Sequence, residues 1–283
     1  MLSMINVLYC GNDKVFDGML TCSLSILKRS RLDEPITFYV FTMDVSRIKS
    51  DYTVISDEKI KYFEDVIKEY NPENRAVKID VTDIYEKEFG GCPNESAYCS
   101  PYTLIRLFAD MVDLPDKILY LDVDIMFARD IHLLYDIDIS DYEYAAAKDH
   151  YGKFLINPHY INAGVLLFNL KKMRETGLLE KARELIRTKK LTFADQSAII
   201  RSTTKRKLLS QRFNDQKFLY KKTVIRHFSK RLFWLPYPHT DNIKQWHISR
   251  VHKKFKYYCF DDVLYEYIYL KTKFDREFSK NDK

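Results

Sequence analysis

The chain has 283 residues, 46% of them hydrophobic, which suits one large domain with a sizeable core or one domain with an appendage. It has no run of about 18 apolar residues and no basic, cleavable leader, so we expect neither a membrane span nor a secreted protein. Its five cysteines are odd in number and widely spaced, so we expect reduced thiols in a cytoplasmic setting and not a set of disulfides. The net charge of +6 hides an asymmetry, because residues 1–200 carry 25 Lys and Arg against 32 Asp and Glu, whereas residues 201–258 carry 16 against 2.

The first two thirds of the chain alternate strand-like and helix-like segments. The strand-like apolar runs are Ile5–Cys10, Ile36–Thr42, Ala76–Ile79, Lys117–Leu121 and Ala163–Asn169. Helical periodicity covers Phe16–Lys28, Asp57–Tyr70, Tyr102–Val112, Lys171–Lys189 and Ala194–Ile200. Alternation at this spacing predicts an α/β fold with a mostly parallel central sheet flanked by helices.

Two carboxylates follow the strand-like run Lys117–Leu121. Asp122 and Asp124 are two residues apart, so in an extended segment their side chains share one face. Adjacent negative charges in a partly dry site repel each other unless a cation lies between them. Hard oxygen ligands suit Mg²⁺ or Mn²⁺ that substrate phosphates also hold. The pattern therefore predicts a site for a metal and a diphosphate at the carboxyl end of a central strand.

A second Asp-x-Asp sequence occurs at Asp136 and Asp138. It precedes Ser140-Asp141, a sequence typical of a solvated turn, and it does not close a long apolar run. We therefore expect Asp136 and Asp138 to lie on the surface.

The basic block of residues 201–258 has a net charge of +14 over 58 residues. Such a block attracts phosphates, anionic lipid or nucleic acid, or else forms a solvated basic face. Because the composition of the sequence changes near residue 250, we place a domain at residues 1–250 and an appendage at 251–283. The appendage interleaves aromatic residues with Lys and Arg, which suits either a membrane interface or a terminal helix packed on the domain.

Several segments, in order, resemble glycosyltransferase family 8, whose members are retaining enzymes that use nucleotide sugars and have a GT-A fold. The resemblance covers residues 5–250. It rests on Asn6-Val7-Leu8-Tyr9-Cys10-Gly11-Asn12-Asp13, Tyr102-Thr103-Leu104-Ile105-Arg106-Leu107, Leu121-Asp122-Val123-Asp124, Ile161-Asn162-Ala163-Gly164-Val165-Leu166-Leu167-Phe168-Asn169-Leu170 and Ala194-Asp195-Gln196-Ser197.

The resemblance implies a role for each matching residue. It implies metal ligands at Asp122, Asp124 and His227, and donor contacts at Tyr9, Cys10, Asn12, Asp13, Arg106, Val123, Asn162, Ala163 and Lys244. Asp195 would accept hydrogen bonds from sugar hydroxyls, as would Asp149, and Gln196 would lie under the reacting face of the sugar. For Arg106 the residues alone leave another interpretation, a surface or i,i+4 partner of Asp110.

The chain also departs from the family pattern. The family often follows its histidine with a glycine and then Lys-Pro-Trp, whereas His227 is followed by Phe228-Ser229-Lys230. The nearest match to the second element is Lys244-Gln245-Trp246, displaced by the insertion Arg231–Ile243. Asn12 stands where an acidic residue is common.

The resemblance implies a hexosyltransferase of the lipopolysaccharide type that depends on Mn²⁺ or Mg²⁺. The implied donor is UDP-glucose or UDP-galactose, and the implied acceptor is a glycan, a lipid-linked sugar or a protein. We expect a cytoplasmic location, peripheral on the inner face of an anionic membrane, and no nucleic-acid partner. A nucleotidyltransferase fits less well, because Gly11 is the only glycine of the first turn. A non-catalytic protein that binds nucleic acid or other anions through the basic block stays an alternative.

Overall fold

The computed structural model describes residues 4–31, 33–95, 100–235 and 237–278. Its strands are β1 Ile5–Cys10, β2 Ile36–Thr42, β3 Arg75–Asp80, β4 Lys117–Leu121, β5 Ile125–Phe127, β6 Tyr144–Ala147, β7 Val165–Asn169, β8 Arg206–Leu209, β9 Ile225–His227, β10 Arg231–Phe233 and β11 His239–Asp241. Its α-helices are α1 Phe16–Arg29, α2 Asp57–Lys68, α3 Thr82–Phe89, α4 His132–Tyr135, α5 Gly152–Leu155, α6 Leu170–Thr176, α7 Leu178–Thr188, α8 Ala194–Ser202, α9 Ile248–Phe255 and α10 Asp261–Phe278. Short 3₁₀ helices cover Asp13–Val15, Pro101–Phe108 and Gln211–Phe213.

The central sheet has seven strands in the order β3-β2-β1-β4-β7-β6-β8. β1 is parallel to β2 and β4, β2 is parallel to β3, and β6 is parallel to β8, whereas β7 runs antiparallel to both β4 and β6. The predicted mostly parallel sheet with flanking helices is confirmed. Two further two-stranded pairs, β5 with β9 and β10 with β11, lie outside this sheet.

Two predicted helices differ from the observed elements. The run Lys171–Lys189 is two helices, α6 and α7, because Gly177 between them adopts a left-handed φ of +66° that ends the first helix. The run Tyr102–Val112 is instead the 3₁₀ helix Pro101–Phe108. Pro101 is its first residue, and the Ser100 side chain caps the helix by accepting a hydrogen bond from the Tyr102 amide.

Each face of the sheet is covered by its own hydrophobic core. Side chains alternate along a strand, so Val7 and Tyr9 of β1 belong to the core that includes α1, and Leu8 belongs to the opposite core that includes α7. Ligands of α/β sheets bind at the carboxyl ends of the strands, which here include the ends of β1 and β4.

The C-terminal helix α10 packs on the first of these cores. Leu264 and Phe274 are buried in it, and the Phe274 ring lies 5.1 Å from the rings of both Phe16 and Tyr62. The Tyr62 hydroxyl donates to the Leu270 carbonyl oxygen at 2.8 Å. Of the two interpretations for the appendage, packing on the domain is therefore correct for this inner face of α10. Residues 279–283 of the predicted appendage lie outside the described residues.

No helix within the described ranges combines the length and the hydrophobicity needed to cross a bilayer. Four of the five cysteines fall within these ranges, namely Cys10, Cys22, Cys92 and Cys259, and all four are free thiols. The fifth, Cys99, lies outside the described residues.

Candidate active site

The candidate metal centre forms where β4 ends. Asp122 and Asp124 follow β4, and β5 then pairs antiparallel with β9, which places Ile125 opposite His227. This pairing brings His227 Nε2 to 3.0 Å from an Asp124 carboxylate oxygen and to 3.9 Å from an Asp122 oxygen. One ligand atom from each of the three side chains lies within 4.8 Å of the others. Two carboxylates and one imidazole at this spacing fit a divalent cation such as Mn²⁺ or Mg²⁺.

Two asparagines fix the orientation of the His227 ring. His227 Nδ1 lies 2.9 Å from Asn214 Oδ1, and the Asn214 amide nitrogen donates to Asn162 Oδ1 at 2.9 Å. Because an amide oxygen only accepts, we assign the ring proton to Nδ1 on the basis of this network. The Nε2 lone pair then faces the carboxylates, an arrangement that a cation between them stabilises.

Gly164 allows this close approach. A Cβ atom at this position would lie 2.4 Å from His227 Cε1 and 2.7 Å from Asp122 Oδ2. The Gly164 carbonyl also accepts a hydrogen bond from the Asp122 amide at 2.8 Å. The glycine therefore matters because it makes room for two of the three candidate metal ligands.

Arg106 reaches the site from the 3₁₀ helix and is only 2% exposed. Its guanidinium lies 3.3 Å from an oxygen of Asp122, 3.3 Å from an oxygen of Asp195, and 4.0 Å above the centre of the Tyr120 ring. The Tyr120 hydroxyl donates to the same Asp122 oxygen at 2.6 Å. Burial by itself lowers the pKa of Arg106, but Tyr120, Asp195 and Asp122 together raise that pKa above its ordinary value. Arg106 is therefore a fixed positive charge beside the candidate metal centre.

Burial raises the pKa of Asp195, although the neighbouring Arg106 opposes that rise. The side chain is 7% exposed and is held at the start of α8. This carboxylate is therefore fixed by its arginine partner and is not a solvated surface group.

Lys244 contributes a second positive charge. Its ammonium group contacts an Asp124 carboxylate oxygen and lies 3.4 Å from the Phe228 carbonyl oxygen. Burial alone would raise the pKa of Asp124, but the neighbouring Lys244 ammonium holds that pKa well below its ordinary value. Asp124 is therefore ionised and ready to bind a cation. The displaced Lys244-Gln245-Trp246 sequence returns to the site despite the insertion before it.

A cleft of about 390 Å³ opens beside these groups at the carboxyl end of β1 and β4. Of the predicted residues it is lined by Cys10, Asn12, Asp122, Val123, Asp124 and Lys244. Burial raises the pKa of the Cys10 thiol, so it lines the cleft as a neutral group. The cleft is also lined by residues that were not predicted, among them Lys14, Val15, Tyr52, Tyr120 and Trp246.

Among the predicted donor contacts that do not line this cleft, Tyr9 and Asp13 have side chains that bind elsewhere. The Tyr9 side chain is fully buried on the other side of β1, where its hydroxyl lies 3.0 Å from Ser23 Oγ. Strand alternation explains the difference, since Cys10, the next residue, faces the cleft instead. The Asp13 carboxylate accepts a hydrogen bond from the Ser56 amide at 2.8 Å and pairs with Lys59 at 3.1 Å. The side chains of Tyr9 and Asp13 are therefore engaged away from the cleft, and the donor contacts of these two residues stay a prediction.

The remaining predicted residues form a polar network next to the metal centre. Asn162 donates from its amide nitrogen to Asp149 at 2.9 Å, which links it to the loop before α5. The Ala163 amide donates to Gln196 Oε1 at 2.9 Å, and the Ala163 carbonyl accepts from Arg106 at 2.6 Å. This network leaves Gln196 half-buried at the edge of the site.

The geometry also decides two further points raised by the sequence, whether Asp110 is the partner of Arg106 and whether Asp136 and Asp138 lie on the surface. Asp110 pairs with Arg183 at 2.5 Å and does not bind Arg106. Asp136 and Asp138 are both exposed on the surface, as predicted.

Comparison with protein families identifies the chain. The sequence profile described as glycosyl transferase family 8 matches residues 6–247. The chain belongs to glycosyl transferase family 8. Among the curated relatives of this family 8 chain, a putative glycosyltransferase of Haemophilus influenzae is 26% identical over 190 residues, which cover 63% of this chain and 52% of the relative. Glycosyltransferase GlyB of Streptococcus pneumoniae is 26% identical over 150 residues, 53% of this chain and 33% of the relative. The family 8 chain thus spans about half or less of the length of these relatives.

Solved structures confirm the expected GT-A fold of the family 8 chain. The galactosyltransferase LgtC, in complex with donor and acceptor sugar analogues, aligns with a TM-score of 0.62 at 18% identity, covering 93% of this chain and 96% of LgtC. The bifunctional glycosyltransferase WbbM aligns with a TM-score of 0.68 at 17% identity, covering 93% of this chain and 50% of WbbM.

Sequence reasoning missed Asn214 and Tyr120. Tyr120 carries a usable signal, because it lies two residues before Asp122 and alternation places both side chains on one face. Asn214 carries none in its local sequence, since it meets His227 only through the folding of the segment before β9.

Proposed function

We propose that the protein is a retaining hexosyltransferase that moves glucose or galactose from a UDP-sugar to a glycan, lipid-linked or protein acceptor and that depends on Mn²⁺ or Mg²⁺. The observation that carries the proposal is the convergence of Asp122, Asp124 and His227 beside the cleft, which Asp122 and Asp124 line, in a chain of family 8. The same proposal includes a metal-binding role for the Asp-x-Asp sequence of Asp122 and Asp124 and a role in lipopolysaccharide-type synthesis.

Asp122, Asp124 and His227 would hold the cation, and Asn214 keeps the His227 ring turned toward it. When bound, a divalent cation supplies Lewis-acid neutralisation of a leaving diphosphate. The proposed role of the three side chains is to fix that charge at the end of β4, beside the cleft that would take the nucleotide.

Arg106 and Lys244 supply fixed positive charge where negative charge grows as the bond from the sugar to the diphosphate breaks. Both cations are held by acidic partners before any substrate arrives, so little reorganisation is needed. Their preorganisation is the main contribution that this chain's own residues would make to the rate.

Retention of configuration needs either a carboxylate nucleophile or same-face transfer. Gln196 is an amide, which is a poor nucleophile, and Asp195 is held in an ion pair with Arg106. We therefore favour same-face transfer, in which the leaving phosphate oxygen takes the proton of the acceptor hydroxyl. Asp195 and Asp149 would accept hydrogen bonds from sugar hydroxyls, and Gln196 would lie under the reacting face.

We place this reaction at the cytoplasmic face of an anionic membrane, where a lipid-linked acceptor would be available. The exposed tyrosines on the outer face of α10, Tyr265 and Tyr269, and the lysines of residues 251–278 support a peripheral contact.

The test is thermal stabilisation of the purified chain by UDP-glucose, UDP-galactose, UDP-N-acetylglucosamine and GDP-mannose, each with and without Mn²⁺. A ligand that binds only the native state raises stability in proportion to RT ln(1 + [L]/Kd). We expect a shift with one UDP-hexose that requires Mn²⁺ and that Asp124→Asn abolishes with the fold intact. The matched control is the double variant Asp136→Asn/Asp138→Asn, which alters the exposed Asp-x-Asp sequence and should leave the shift unchanged.

Two results would contradict the proposal. Full metal-dependent transfer by Asp124→Asn would contradict the assignment of Asp122, Asp124 and His227 as the metal ligands. The absence of any shift with every nucleotide sugar would turn attention to the alternative, a non-catalytic protein that binds anions through residues 201–258.

A further inference from the structure

The insertion before Lys244 folds into a hairpin with an apolar end. β10 and β11 pair antiparallel, with Phe233 opposite His239. Trp234, Leu235 and Tyr237, which we call the hairpin tip, are 68%, 83% and 67% exposed. Three large apolar side chains that are close in sequence and largely exposed are typical of an interaction site, and no step of the proposed transfer uses them.

The base of the hairpin is fixed to the domain, whereas the three described side chains of the tip are largely exposed to solvent. The Phe233 ring stacks on His239 at 5.6 Å and on Phe255 of α9 at 6.3 Å. Arg250 of α9 pairs with Asp241 of β11 at 2.6 Å. The apolar residue nearest the domain is therefore covered, and the exposed tip extends beyond an anchored base.

Basic side chains surround this base. Residues 230–256 contain seven Lys and Arg but only one acidic residue, Asp241, which Arg250 already pairs. The Arg231 guanidinium lies 5.3 Å from the centre of the Phe255 ring, and the Lys254 ammonium lies 5.9 Å from that of Phe233. Lys253, Lys254 and Lys256 are exposed. Cationic groups thus lie on the domain side of the apolar tip.

We propose that the hairpin tip inserts into the interface of an anionic lipid membrane while the lysines of α9 contact the headgroups. Trp and Tyr are favoured at that depth, and Lys and Arg are attracted to anionic lipid. A projecting tip with a basic base matches a flat charged surface better than it matches a peptide, which binds in a groove. This inference does not depend on transfer activity. Because β11 ends at Asp241 and the chain reaches Lys244 three residues later, the contact would hold the cleft near the membrane.

The test is co-sedimentation of the full chain with vesicles of phosphatidylcholine alone or mixed with phosphatidylglycerol. We expect binding to the mixed vesicles, and a loss of about tenfold or more in Trp234→Ser/Leu235→Ser/Tyr237→Ser. The matched control is Phe154→Ser/Leu155→Ser/Ile156→Ser, which removes three side chains that are 78%, 81% and 54% exposed elsewhere, and it should bind like the wild type. Lys253→Gln/Lys254→Gln/Lys256→Gln should lose the preference for anionic vesicles.

Tryptophan emission gives an independent readout, because Trp234 and Trp246 are the only two tryptophans. In a Trp246→Phe background, the emission of Trp234 should shift to the blue with anionic vesicles and be quenched by brominated lipid. Unchanged melting temperatures would show that the exposed substitutions leave the fold intact.

Three outcomes would overturn the inference. The first is that the wild type fails to bind anionic vesicles. The second is that the hairpin variant binds them like the wild type while Tyr265→Ser/Tyr269→Ser on α10 does not. The third is that soluble glycan alone shifts the Trp234 emission.

Discussion

Asn214 lies behind His227, on the side of the ring away from the carboxylates. Its Oδ1 accepts the ring proton, and its amide nitrogen is held by Asn162. Removing this partner frees the ring to rotate and to take the other tautomer. We therefore expect Asn214→Ala to weaken Mn²⁺ binding by about 10–100-fold, the usual cost of losing an outer partner of a histidine ligand. Titration calorimetry with Mn²⁺ measures the effect directly.

The matched control is another buried asparagine, Asn74. It binds backbone groups of Ile36 and Ile67, far along the chain from the metal centre. Asn74→Ala should lower stability and leave Mn²⁺ affinity unchanged. Equal Mn²⁺ affinity in Asn214→Ala and the wild type would show that the His227 ring is held by other contacts.

At this scale the sequence predicts some residues well and others poorly, for physical reasons. Asp122 and Asp124 can be predicted from the sequence, because two negative charges at the end of a buried strand need a cation. Asn214 cannot be found in this way, because its partner His227 is brought to it by the pairing of β9 with β5. Matching a segment to a family pattern does not say which face of β1 each side chain occupies, and the Tyr9 side chain lies on the face away from the cleft.

Among the elements, α10 is a structural part of the domain. Phe274 is nearly buried against Phe16 and Tyr62, whereas Tyr269 on the opposite face is 68% exposed. We expect Phe274→Ala to lower the free energy of unfolding by about 2–4 kcal/mol, because it leaves a cavity under the helix. Tyr269→Ala should change it by less than about 0.5 kcal/mol. Urea unfolding of both variants makes the comparison, and equal small effects would mean that α10 is detachable.

The junction between β6 and β8 depends on one buried carboxylate. Glu143 accepts hydrogen bonds from the Thr204 and Lys205 amides at 2.8 and 3.1 Å and from the Thr203 hydroxyl at a shorter distance. Burial raises the pKa of Glu143, but these hydrogen bonds outweigh it and lower the pKa below its ordinary value of 4.5. The ionised carboxylate therefore stabilises the fold above pH 4.5, and that contribution is lost as the pH falls through the lowered pKa.

We expect Glu143→Gln to lower the free energy of unfolding by about 1–3 kcal/mol at pH 7. The difference from the wild type should shrink as the pH is lowered from 7 to well below 4.5, because the wild-type carboxylate also becomes protonated once the pH falls through its lowered pKa. Denaturant unfolding at both pH values measures this, with the exposed Glu73→Gln as control. A difference that does not depend on pH would assign the effect to packing.

The order of elements is easier to predict than their exact form. The five predicted strands are all present because each is a short apolar run between turn residues. The antiparallel direction of β7 could not be predicted, since its run of apolar residues fits either direction in a buried sheet. The hairpin of β10 and β11 was visible only as an insertion, because three-residue strands carry almost no periodicity.

At the scale of the whole molecule, the positions of the basic residues bear on the two functions that the sequence left open, a transferase and a non-catalytic protein that binds nucleic acid or other anions. The sixteen Lys and Arg of residues 201–258 do not all face solvent. Arg226 is 1% exposed, with its guanidinium about 5–6 Å from the ring centres of Phe228, Phe255 and Tyr257, and Lys244 lies in the cleft on Asp124. At least two of the charges that suggested a nucleic-acid surface therefore have roles inside the fold.

Salt should affect binding of RNA and binding of a UDP-sugar differently. Binding of RNA to the remaining surface charges would be electrostatic, so raising salt from 50 to 200 mM should weaken it by about 10³-fold, as expected for six or more phosphate contacts. Binding of a UDP-sugar with Mn²⁺ should persist, because partly buried charges in a cleft are screened much less. Fluorescence anisotropy of labelled RNA and thermal stabilisation by the UDP-sugar, followed over the same salt series, measure both. RNA binding that survives 200 mM salt, together with no stabilisation by any nucleotide sugar, would make the basic block the principal site, because specific contacts to bases rather than counterion release would then sustain the complex.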